Sequence, residues 1–122
     1  MITIKKNCNC TYFKVTEAVT AKEIISRLEQ YFGGTRTDKA LWDFTGTTKL
    51  SITPEEIKAI AEYLKSADDN KIRQVALVGS KTVNLGTGKL FTAFAQMVGL
   101  KNEYKAFRNM NHALAWLDAK AD

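Results

Sequence analysis

The run VALVGSKTVNLGTGKLFTAF, residues 75–94, sets Gly86, Gly88 and Lys89 between an apolar stretch and an amphipathic one. A glycine-containing turn from strand to helix offers backbone N–H groups to an anion, and a lysine adds a positive charge. The spacing excludes a nucleoside-triphosphate loop, which needs Gly, four residues, then Gly-Lys-Ser/Thr. Here Val83 stands five before Gly88, and Leu90 follows Lys89. The dinucleotide fingerprint fails too, because its third glycine falls at Phe91. Two readings of the 84–89 turn remain: an anion or ligand site, and close backbone packing. In open α/β sheets ligands gather beyond the carboxyl ends of the parallel strands. Asp43, Ser80, Gly86, Gly88 and Lys89 are therefore the candidate rim.

The other reactive residues are isolated. Asp43 is a single carboxylate, whereas acid–base catalysis and metal binding need several convergent groups. Its simplest reading is a carboxylate held by a neighbouring N–H or helix cap. His112 is the only histidine, and Cys8 and Cys10 are the only cysteines. A nucleophilic triad and a multi-histidine metal site are both unsupported, and no catalytic residue, metal or cofactor is expected. Trp42 and Trp116 read as packing residues. Trp42, Phe91 and Phe94 also suit the wall of an apolar ligand site between sheet and helices.

With 122 residues, 45% hydrophobic and 25% charged, the chain reads as one domain, 1–122, that buries a core of its own. Eighteen Lys and Arg against 13 Asp and Glu give +5, but the basic residues are scattered rather than clustered. A nucleic-acid partner is accordingly not expected. No stretch approaches 18 consecutive apolar residues, and MITIKKNCNC lacks the apolar core of a secretion signal. The expectation is a cytoplasmic protein with no stable membrane insertion.

The elements that must position these residues follow from patterning. Residues 2–6 and 10–16 read as a hairpin of two strands. Thr20 and Glu23 have capping-box spacing ahead of Ile24, Ile25, Leu28, Tyr31 and Phe32, a helical stripe closed by Gly33-Gly34. KALWDFTG, residues 39–46, reads as a strand covered on both faces. Thr53-Pro54-Glu55-Glu56 opens a second helix, whose stripe is Ile57, Ile60, Ala61 and Leu64. RQVALVGS reads as a strand. A third helix follows with Leu90, Phe91, Phe94, Met97 and Val98 on its buried side, ended by Gly99. EYKAFRN is a short strand, and Met110, Ala113, Leu114 and Leu117 mark a last helix. The order β-β-α-β-α-β-α-β-α predicts a single-domain α/β fold. Its mixed, mostly parallel sheet has four to five strands and about four helices.

Three segments together resemble the SpoIIAA-like proteins, relatives of the STAS (sulfate transporter and anti-sigma factor antagonist) domain. They are ALWDFTG with Trp42, Asp43 and Phe44, and VALVGSKTVNLGTGKLFTAFA with Ala76, Leu77, Val78, Leu85, Gly86 and Lys89. The third, YKAFRNMNHALAWL, carries Phe107, Ala113, Trp116 and Leu117. The resemblance spans roughly residues 10–118. It implies a mixed sheet flanked by helices and a non-enzymatic, regulatory role exercised by docking a protein partner or a second copy. In the antagonist branch a serine near a helix start is phosphorylated to release the partner. Here the Asp-Ser-Ser-Gly stretch is replaced by TTKLSITPEE, which leaves Ser51 and Thr53 as the nearest hydroxyls. Related lipid-transfer proteins enclose an apolar molecule in a similar fold. A small-ligand binder is therefore the alternative to a protein-interaction domain.

Overall fold

A computed structural model describes residues 1–79 and 82–117, the side chains of 82 and 83 excepted. Its elements are β1 (Ile2–Asn7), β2 (Cys10–Thr20), α1 (Ala21–Phe32), β3 (Lys39–Ser51) and α2 (Pro54–Ser66). Then come β4 (Gln74–Val78), α3 (Thr82–Met97), β5 (Glu103–Phe107) and α4 (Met110–Leu117). The five strands lie in one sheet in chain order, β1-β2-β3-β4-β5. β1 pairs antiparallel with β2 across the Cys8-Asn9 turn, and every other pair is parallel. The expected mixed, mostly parallel sheet of four to five strands with about four helices is met by five strands and four helices among the described residues.

Side chains alternate across a strand, so each strand feeds two cores. Phe13 and Val15 of β2, Ala40 and Trp42 of β3, and Val75 of β4 form one core with Ile24, Leu28, Tyr31 and Ile60 of α1 and α2. Phe91 of α3 and Tyr104 of β5 pack against it. On the opposite face Cys10, Leu41, Ala76 and Val78 meet Ala113 and Leu117 of α4. Crossovers of one hand that always step to the next strand drop their helices on a single face. α1, α2 and α3 therefore share one side of the sheet, and α4 alone covers the other.

Three differences from the sequence-based expectations have physical causes. β2 and β3 run on to Thr20 and Ser51, paired through Thr20↔Ser51, because two register shifts interrupt the alternation that marks a strand. Glu17, at the second shift, takes φ 61. At the start of α1, Thr20 Oγ1 accepts from the Glu23 N–H at 3.3 Å, whereas the Glu23 carboxylate lies 3.8 Å from the Met1 amino group. α2 has the full box, with Thr53 and Glu56 bonded reciprocally at 2.9 and 3.2 Å.

The third difference concerns α3, which begins at Thr82, so residues 84–89 are helix and not a turn. Its inward residues are Asn84, Gly88, Phe91 and Ala95, spaced i, i+4, i+7 and i+11, while Leu90 is 36% exposed and Met97 74%. The buried stripe runs through an asparagine and a glycine, so counting apolar residues keeps Phe91 but wrongly adds Leu90 and Met97. Asn84 Nδ2 donates to the Phe44 carbonyl at 3.2 Å, tying the helix start to β3.

Gly79 makes the strand-to-helix passage possible. A Cβ there would stand 2.8 Å from Asn84 Cβ and 2.9 Å from its carbonyl carbon, closer than atoms pack without displacement. Gly79→Ala is expected to lower stability by ~1–3 kcal/mol through overpacking, measured by chemical denaturation. An unchanged midpoint would mean that α3 is not held against the end of β4.

Candidate functional site

Between the sheet and α1, α2 and α3 lies a cavity of about 130 Å³. Its floor is aromatic because Phe13, Trp42 and Phe44 project from β2 and β3 on the same side. Phe13 and Trp42 stack with ring centroids 4.2 Å apart and planes 2° apart, and Phe44 continues the stack 6.1 Å from Trp42. Phe91 meets Tyr104 edge-on at 5.1 Å on the β5 side. Ile24, Leu28, Ile57, Ile60 and Leu64 of the helices form the roof. Native cores contain few voids larger than a water molecule.

All five charged residues on the wall gather at one end: Arg36, Asp68, Asp69, Arg73 and Lys101. They sit in the segments that precede β3, β4 and β5, at the amino ends of the parallel strands. Asp69 and Arg73 form a two-pronged pair, with Arg73 NH1 and NH2 2.7 and 2.9 Å from the two carboxylate oxygens. Arg73 Nε donates to the Thr37 carbonyl at 3.2 Å, which fixes the guanidinium plane. Arg36 NH1 lies 3.7 Å from the same carboxylate, and its NH2 donates to the Ala67 carbonyl at 3.0 Å. The Arg36 guanidinium also rests over the Phe32 ring, 4.0 Å from its centroid.

These contacts set the protonation states. The hydrogen bonds from Arg73 hold the Asp69 carboxyl well below the usual carboxylate range, and the same pair raises Arg73. Burial raises the Tyr104 hydroxyl, which accepts from Asn102 Nδ2 at 3.3 Å, so it stays neutral beside the cavity. The Asp69–Arg73 pair thus stays ionised near neutrality.

The sequence-predicted residues divide. Trp42 and Phe91 line the cavity. Phe94 is half-buried outside the wall. Asp43 alternates to the other side from Trp42, and its Oδ1 accepts from Thr45 N and Oγ1 at 2.9 and 2.6 Å. Gly86 and Gly88, 200° apart on a helix, face different ways. A Cβ on Gly86 would meet nothing, whereas one on Gly88 would stand 3.4 Å from Ala106 Cβ. The amides of residues 86–89 belong to a helix begun at Thr82, past its first unpaired turn, so no turn offers them to an anion. Lys89 is exposed, and Ser80 lies outside the described residues. Ser51 is exposed at the end of β3, and Thr53 serves as the α2 cap. His112 and Cys8 are exposed and Cys10 is buried under α4, and among the described residues no three His, Cys, Asp or Glu side chains gather as they would round a metal ion.

The charged end was missed because its members come from three segments, TRTDK, DDNKIRQ and GLKN, that are far apart in the chain. The one signal available was the Asp69/Arg73 spacing of four.

No family model and no curated protein matches the sequence. Among solved structures, the chain is similar to a DUF3478-family protein of Shewanella loihica PV-4 described as uncharacterized and SpoIIAA-like in fold. The two share 23% identity at a TM-score of 0.57, over 96% of this chain and 92% of that one. The fold is therefore SpoIIAA-like. Among the described residues, no helix is long and apolar enough to cross a membrane.

Asp69 has a lowered folded-state pKa, so its contribution to stability is full above the unfolded carboxylate value of ~3.9. It fades as pH falls below that value toward the folded pKa. The stability gap between wild type and Asp69→Asn is expected to be flat above ~pH 5 and to shrink below ~pH 4. A gap that widened on acidification would contradict the pairing with Arg73.

Proposed function

We propose that this chain binds a small apolar ligand in the cavity between the sheet and α1–α3, without chemical turnover. The observation that carries this reading is an aromatic-floored cavity of about 130 Å³ between the sheet and three helices. An engineered apolar cavity of ~150 Å³ stays dry and takes up benzene. The space here therefore has the scale of a single ring, and its occupation recovers dispersion contacts that the empty core forgoes.

The regulatory, protein-docking role expected from the STAS-like fold is a second reading. It is favoured by the exposed face from Ser51 through Glu55 and Lys58, where a strand end meets a capped helix start. The two readings separate in one titration. Toluene and indole are neutral, so they report on the cavity alone. At 100 times its dissociation constant either stabilises the fold by ~2.7 kcal/mol, seen as a thermal shift. Ala40→Leu, which fills the cavity floor, is expected to abolish the shift while leaving the fold within ~1.5 kcal/mol of wild type. A flat titration with both ligands would remove the cavity reading and leave the docking face as the account.

A further inference from the structure

The charge at the end of the cavity identifies the chemical class of its ligand. We infer that the cavity takes a small ring compound bearing one carboxylate, with the ring on the aromatic floor and the carboxylate at Arg36. This inference rests on the cavity reading above. The wall carries three cations, Arg36, Arg73 and Lys101, and two anions, Asp68 and Asp69. The excess cation, Lys101, is exposed and bonded to Asn70. Both arginines, by contrast, are largely shielded from water, their side chains being 19% and 10% exposed. A shielded guanidinium attracts an added anion more strongly than an exposed one, because less water screens the pair.

Of the two guanidinium groups, Arg73 is committed. Its fork is closed by both Asp69 oxygens and its Nε by Thr37. Arg36 has one short bond, to Ala67, and reaches Asp69 only at 3.7 Å, longer than a hydrogen bond. It has five N–H donors in a plane that fits a carboxylate edge-on. Its flat face is held by Phe32, so the donor edge is already oriented. The Asp69 carboxylate shows the geometry that this cluster accepts, with Arg73 as its fixed partner and Arg36 as the looser one. A second carboxylate arriving from the cavity side completes Arg36. The stacked Phe13, Trp42 and Phe44 suit a flat partner.

The test is calorimetric titration of the full chain with phenylacetate, its neutral isostere phenylacetamide, and toluene. Phenylacetate is expected to bind about tenfold or more tighter than phenylacetamide, the range of a charge-assisted hydrogen bond. Arg36→Gln is expected to erase that difference while leaving toluene unchanged. Asp69→Asn removes the internal competitor and should tighten phenylacetate but not phenylacetamide, with circular dichroism checking that the variant is folded. Equal binding of acid and amide to wild type, or an acid preference that survives Arg36→Gln, overturns the carboxylate assignment; toluene binding would then still support the cavity. If toluene also fails to bind, the cavity reading falls and the assignment with it.

Discussion

The arrangement of this molecule depends on the direction in which the chain steps across its sheet. From β2 to β5 every crossover moves to the adjacent strand, so α1, α2 and α3 must share one face. That face presents the Phe13, Trp42 and Phe44 stack from β2 and β3, while on the opposite one Cys10, Leu41, Ala76 and Val78, with Tyr12 and Phe107 beside them, lie under a single short helix. Three helices laid across stacked rings leave a gap where their stripes diverge. Two-strand alternation cannot move those rings elsewhere without turning Leu41 and Ala76 into the same core.

The same topology explains why the charges gather at one end. The segments entering β3, β4 and β5 all arrive at the amino edge of the sheet, and they bring Arg36, Asp69, Arg73 and Lys101 together although the sequence separates them. In many open α/β proteins the carboxyl edge holds the ligand. Here that edge is occupied by Gly79 packed against Asn84 and by the capped start of α2, where the Thr53 and Glu56 N–H groups are already bonded. The polar chemistry accordingly sits at the other end of the cavity. The face away from α1–α3 is only partly covered, with Thr3, Lys5 and Lys14 exposed on β1 and β2.

Much of the fold was legible because local rules and tertiary packing agree. Pro54 after Thr53, the glycines after Phe32 and the β-branched runs each placed an element correctly. The reading failed where packing uses small or polar residues. α3 turns Asn84 and Gly88 inward, so neither its phase nor its start could be taken from apolar spacing, and the apparent turn with Lys89 was the body of a helix. Trp42 and Phe91 were legible as cavity residues because large rings on adjoining inward positions leave few other places to go. The Arg36–Asp69–Arg73 cluster was not, since only the strand order brings the two loops together.

The central claim is that the space beneath α1–α3 is a binding site rather than a packing defect. A crystal structure determined after soaking with indole tests it most directly. The account predicts ordered ring density between the Phe13–Trp42 stack and Leu28, Ile60 and Phe91, with the sheet unmoved. Closure of Trp42 against Phe91, with no density between them at saturating indole, would contradict it.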